Sequence, residues 1–198
     1  IFIKNLSKNA NLYLNTKDQI LNVLKHYNEE INYNHEIKFY KQIENSFPYI
    51  CKIYGITKNQ NQTILVLEYI EGLTLEKFIL KHKNINFSTK IKIIIEILFS
   101  VYYVHSNGFF LRDLKSDNII IDSSFNSILI DFDWSKKIIS LQNEEEHTAI
   151  FGNPYFLAPE QSSSNVYSYK VDIYSIGKII HFIITETIYK KKDKELSK

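Results

Sequence analysis

Asp113, Lys115 and Asn118 fall within six residues of one another in the stretch LRDLKSDNIII, residues 111–121, and Asp131 follows Asn118 by thirteen positions. Two carboxylates and an amide supply hard oxygen ligands of the kind that hold Mg²⁺. A carboxylate can orient a hydroxyl and take its proton, and an ammonium can neutralise a transferring phosphoryl group. Asp113 alone reads more simply as a turn residue; the four together, in this order, carry what a phosphoryl transfer needs. The same stretch holds Arg112, the one arginine among 24 basic residues. A planar guanidinium binds phosphate through two parallel hydrogen bonds, which a lysine cannot do.

The elements that must position these residues follow from apolar spacing. IFIK at the start reads as a short strand, and the Asn-rich NLSKNANLYLNTK as a loop or insertion. From Asp18, the apolar residues Ile20, Leu21, Val23, Leu24 and Tyr27 fall at helical spacing. A second helical stretch carries Ile37, Phe39, Tyr40 and Ile43 and is closed by Pro48. YICKIYGI and QTILVLEYI flank the polar TKNQNQ as the strands of a hairpin. After Gly72 the helices TLEKFILKH and STKIKIIIEILFSVYYVHSNG follow, the second with Ser88 as N-cap and Asn107-Gly108 as a left-handed stop. NIIID and SILID are short strands. Asp113 and Asn118 therefore lie in a loop between a helix and a strand, and Asp131 directly follows a strand. A helix from Val171 to about Glu186 is apolar on nearly every side and is expected to be buried all round. The layout is α+β, with a strand-rich N-terminal part joined near residues 68–72 to a helical C-terminal part.

Composition narrows the function classes. A net charge of +2 argues against an electrostatic nucleic-acid binder. A single cysteine, Cys51, excludes an internal disulfide framework and fits a reducing, cytoplasmic compartment. The longest apolar run, IKIIIEILFSVYYV, is interrupted by Lys92 and Glu96, so no membrane span is expected. The chain is rich in Ile, Asn, Lys and Tyr and poor in Gly, Pro and Arg, which makes each of the rare residues more informative.

Four motifs in order resemble the protein kinase domain. LRDLKSDN is similar to the catalytic loop H-R-D-x-K-x-x-N, and DFD at 131–133 to D-F-G. GNPYFLAPE at 152–160 resembles the close of the activation segment, and VDIYSIG at 171–177 the start of the central helix of the large lobe. The resemblance implies a two-lobed, kinase-like α+β fold, truncated, with residues 1–70 as a partial small lobe and 71–198 as a partial large lobe. It implies ATP and Mg²⁺ as cofactors and a protein as substrate, with Ser/Thr specificity suggested by Lys115. By position, Asp113 would orient the attacking hydroxyl and Lys115 would contact the γ-phosphate. Asn118 and Asp131 would hold Mg²⁺. Glu68 and Ile70 would offer hinge backbone groups to adenine, Leu67 would be the gatekeeper, and Ile120 would pack beneath the ring. Asp172 would fix the catalytic loop from below. Arg112 would face a phosphorylated residue of the activation segment, for which Thr148 is the best candidate.

The departures from the family lie mainly at the N-terminal end. No Gly-rich loop is present, and it is expected to precede residue 1. IFIK resembles the V-A-I-K strand, which makes Lys4 the phosphate-binding lysine and Glu36 its helix partner, with an insertion between them. Phe2 would then crowd the adenine. Lys25, after Val23, is the second candidate. Leu111 replaces the usual His, Asp133 the Gly of D-F-G, and Asn153 a Thr. These changes leave an alternative: a pseudokinase or truncated fragment that acts as a binding module. The family partner of Glu160 is an Arg near the end of the domain, and none is present, so the isolated chain is expected to be unstable alone.

Overall fold

Along QTILVLE the residues Thr63, Leu65 and Leu67 are buried while their neighbours are half-exposed, the period-two signature of a strand covered on one face. The computed structural model describes residues 1–28, 33–59, 62–138, 145–146, 153–163 and 166–187. Its first part is a five-stranded antiparallel sheet with one helix inserted. The elements in chain order are β1 (Phe2–Asn5), β2 (Ala10–Leu14), β3 (Leu21–Asn28), α1 (Tyr33–Gln42), β4 (Ile53–Asn59) and β5 (Gln62–Glu68), and the strand order is β1-β2-β3-β5-β4.

Two expectations are corrected here. Residues 10–14 are not loop but strand β2, and the stretch from Asp18 to Tyr27 is not a helix but leads into β3. β3 is the central strand, paired through Lys25 with Ala10 of β2 on one side and Leu65 of β5 on the other. Leu21, Val23, Lys25 and Tyr27 share one face. A lysine on that inner face breaks the apolar alternation, and Leu24 on the opposite face completes a false helical pattern.

The second part begins at β6 (Gly72–Thr74) and continues through α2 (Leu75–Lys81), α3 (Phe87–Ser106), β7 (Phe109–Phe110), a 3₁₀ turn at Ser116–Asn118, β8 (Ile119–Asp122), β9 (Ser127–Leu129) and β10 (Lys136–Lys137). β11 (Glu145–Glu146), α4 (Pro159–Ser163), β12 (Val166–Tyr167) and α5 (Lys170–Thr185) follow. β6, β8 and β9 form a small sheet that carries the 3₁₀ turn. At Gly72 a Cβ would lie 2.3 Å from the Ile121 carbonyl oxygen, so this close strand approach admits only glycine.

The N-cap of α3 is Asn86, whose Oδ1 accepts from the Thr89 N–H; Ser88 lies inside the helix and donates to that same oxygen. α5 is buried through Val171, Asp172, Ser175, Ile176, Ile179, Phe182 and Ile183, but Ile173, Tyr174 and Ile184 are exposed, so one face of it is open. One apolar cluster runs from Leu65 and Leu67 of the sheet through Phe39 and Phe132 to Ile93 and Val101 of α3 and Ile179 of α5. The Phe132 ring stacks on Phe39 with centroids 4.0 Å apart. That stack ties the segment after Asp131 to helix α1.

Candidate active site

β3 and α1 bring opposite charges together in the core. Lys25 and Glu36 form an ion pair at 3.0 Å, with both side chains buried. The Lys25 Nζ also donates to Asp131 at 2.7 Å and to Asp133 at 2.8 Å. Burial alone would lower the lysine, but the Glu36, Asp131 and Asp133 carboxylates outweigh it and hold Lys25 above the ordinary ammonium range. Shared among three carboxylates, one ammonium does not compensate all of them. Burial, with Asp133 and Asp131 nearby, pushes Glu36 up to about 7.

Tyr27, two residues beyond Lys25 and so on the same face of β3, hydrogen-bonds both Glu36 and Asp133. Glu36 further accepts the Phe132 N–H at 3.1 Å. Lys4, expected as the partner of Glu36, lies instead on exposed edge strand β1, and Lys25 makes that pair. Phe2 is 51% exposed and packs its ring edge against Tyr13, so it does not crowd the interior.

The catalytic-loop residues are held from the other side. Asp172 of α5, fully buried, accepts the N–H groups of Leu111 and Arg112 at 2.8 and 2.9 Å and contacts His105 Nε2 at 2.8 Å. Arg112 and Asp131 have φ of 68° and 67°, a left-handed backbone that side chains rarely adopt and that the surrounding hydrogen bonds must sustain. Asp113 binds the Lys115 ammonium through Oδ2, while its buried Oδ1 has no partner among the described residues. Burial raises its pKa against the opposing pull of Lys115. Asn118 donates Nδ2 to the Asp113 carbonyl at 2.9 Å, which leaves Oδ1 as the atom with which it would meet a cation.

A cavity of about 540 Å³ lies between the two parts. Leu67, Glu68, Ile70, Ile120, Asn118 and Asp131 line it, as do Lys25 and Val23, and Lys4 reaches its rim. The β1–β2 turn covers it with Leu6, Ser7 and Asn9. A strand-turn-strand cover, expected upstream of residue 1, is thus built by residues 2–14, without a glycine. The sequence signal that could have found it is the pair of strands flanking a short polar turn ahead of Val23 and Lys25.

Arg112, Lys38 and Lys136 all lie close enough to His35 to act on it, while Asp172 holds the Arg112 N–H. The Arg112 Nε donates to the Trp134 carbonyl at 2.6 Å. Half-buried His35 is lowered by burial and then by Arg112, Lys38 and Lys136. Thr148 lies outside the described residues. Asn153 uses its side-chain oxygen to accept the Tyr155 N–H at 3.0 Å, a local turn contact.

The protein kinase domain family model matches residues 8–198. The chain belongs to the protein kinase domain family. This kinase domain is 32% identical over 145 residues to the "Probable serine/threonine-protein kinase PknB" of Lactococcus lactis, covering 73% of this chain and 23% of that protein. It is 30% identical over 142 residues to human dual specificity testis-specific protein kinase 2, covering 70% of this chain and 25% of the relative. It is 29% identical over 188 residues to the fatty acyl-CoA synthetase and RNA processing-associated kinase 1 of Saccharomyces cerevisiae, covering 91% and 22% respectively. The chain therefore spans about a quarter of these relatives' length. Among the described residues no helix of the kinase is long and apolar enough to cross a membrane.

Proposed function

We propose that this chain transfers the γ-phosphoryl group of ATP to Ser and Thr hydroxyls of protein substrates. The observation that supports the reading best is the meeting of Lys25 and Asp131 at a cavity that Asn118 also lines, with Glu36 paired to Lys25 behind it and Asp113 and Lys115 paired in the loop that carries Asn118. Lys25 is the phosphate-binding lysine in place of Lys4, and Glu36 positions it. Val23, Ile120, Glu68, Ile70 and Leu67 line the cavity, so adenine would lie between Val23 and Ile120, with Glu68 and Ile70 offering backbone groups. Asp131 and Asn118 present hard oxygens from neighbouring segments and would hold Mg²⁺, which when bound shields the phosphate charge. Asp113 orients the substrate hydroxyl and accepts its proton at Oδ1, and Lys115 steadies the transferring group.

The direct test is Mg²⁺-dependent transfer of labelled phosphate from ATP to protein or peptide substrates, scored separately for Ser, Thr and Tyr. Label on Tyr alone, or no transfer from a folded sample, would reject this assignment. The name of the human relative carries dual specificity, so the tyrosine score is the informative one. A second reading, a pseudokinase that binds partners without transfer, draws on one observation: Asp133 puts a third carboxylate on Lys25. Residual transfer separates the two.

Arg112, with Lys38 and Lys136 near His35, offers a basic cluster to a phosphorylated activation segment, Thr148 being the proposed residue. Arg112→Lys should then blunt activation by an upstream kinase more than it lowers basal transfer. Equal loss of both would reject Arg112 as the phosphate receiver.

A further inference from the structure

Asp133 stands where the family places glycine, and its carboxylate does something a glycine cannot. An ammonium has three hydrogens to donate. Around the Lys25 Nζ there are three carboxylate oxygens, from Asp131 at 2.7 Å, Asp133 at 2.8 Å and Glu36 at 3.0 Å. Two of its donors go to Asp131 and Asp133, and Glu36 faces the ammonium as an ion pair, so carboxylates of the protein surround it. Asp133 is fixed in that position by Tyr27, which hydrogen-bonds it and Glu36 together. The carboxylates of Glu36, Asp131 and Asp133 lie within 4.8 Å of one another, yet the ammonium fills the space between them, so the cluster is a saturated lysine cage and not a second cation site.

The geometry points to Asp133 as an internal competitor that makes nucleotide binding contingent on a divalent cation. This rests on the nucleotide reading above. Of the three carboxylates, Glu36 is fully buried and anchored by the Phe132 N–H, and Asp133 is anchored by Tyr27. Asp131 is the most exposed, at 34%, and is the one that faces the cavity as a metal ligand. When Asp131 takes up a cation it leaves Lys25, and only then is a donor released toward a phosphate. A glycine at 133 would leave one donor open from the start, and metal-free ATP would find it. Asp133 and Tyr27 act through Lys25 and are positioning residues.

Calorimetric titration of the full chain with ATP, once in EDTA and once in excess MgCl₂, tests this. The wild type is expected to bind with Mg²⁺ and only weakly without it. Asp133→Gly should raise the metal-free affinity about 10- to 100-fold, the worth of one charge-assisted hydrogen bond. Tyr27→Phe keeps the charge and frees Asp133 to turn away, so it should move the same affinity in the same direction by less. It also serves as the second variant if Asp133→Gly does not fold. The single tryptophan, Trp134, follows Asp133 directly, and its emission should shift on Mg²⁺ addition in the wild type and less in Asp133→Gly. Wild-type binding of equal strength in EDTA and MgCl₂ would overturn the inference while leaving the nucleotide reading intact. Unchanged metal-free affinity in both variants would do the same. Absence of ATP binding by every folded variant under both conditions would overturn both.

Discussion

Asp113→Asn in the full chain is expected to lower phosphoryl transfer by about 10²–10⁴-fold, the usual worth of a positioned general base, while ATP affinity stays within about twofold. The expectation follows from where the group sits. Its Oδ2 is committed to Lys115, its Oδ1 is buried without a partner among the described residues, and its backbone is fixed through Asn118 and through Asp172 on the two preceding N–H groups. A buried acceptor that the fold leaves unsatisfied is costly to keep, and a substrate hydroxyl would satisfy it. Asparagine keeps the shape and loses the base. Because burial raises Asp113, the acid limb of kcat/KM should lie above the ordinary carboxylate range. Steady-state kinetics with calorimetric ATP titration separate the two effects. A variant that loses ATP binding in step with transfer would show that Asp113 holds the nucleotide and does not act on the nucleophile.

Lys25→Met should be the most destabilising single change at the site, by about 3–5 kcal/mol, because it removes one partner and leaves buried carboxylates uncompensated. Lys4→Met, on an exposed edge strand, should change stability by no more than about 0.5 kcal/mol. The pH dependence has a definite sign. Glu36 is already raised from 4.5 to about 7 in the folded state. The folded state therefore binds this proton more tightly than the unfolded state, and the group's contribution is fully present below the unfolded pKa and lost as pH rises through the folded one. Without Lys25 the folded value climbs further. The Glu36 part of the Lys25→Met deficit should therefore be level from about pH 4.5 to below 7 and widen as pH rises through 7 and beyond. Thermal melts of wild type, Lys25→Met and Lys4→Met across that range check it. A deficit that does not grow with pH would mean that Glu36 is not the group left exposed to its own charge.

The sequence by itself determined where the candidate residues in the second half of the chain lie. Asp113, Lys115, Asn118 and Asp131 lie in and around short connections whose ends are fixed by local signals, a capped helix before and apolar strands on either side, so order and spacing along the chain nearly fix their placement in space. The family followed from those motifs, and the family model matches residues 8–198. What only the tertiary structure decided lies in the first half. Lys25 reaches Glu36 because β3 pairs with β5 in the register that puts Lys25 opposite Leu65 and turns its inner face toward α1. Register is a long-range property: slipping one residue sends every side chain to the other face, and nothing within ten residues of Lys25 announces which face is inner. A lysine among apolar residues blurred the period, so Lys4 in a better-looking strand took its place. The cage around Lys25 was equally out of reach. Asp133 reads in the sequence as a lost glycine; it becomes an extra carboxylate on a buried ammonium only when the residue pair 25 and 27 meets the residue pair 131 and 133, more than a hundred positions away, and that meeting is made by the packing of Phe132 on Phe39.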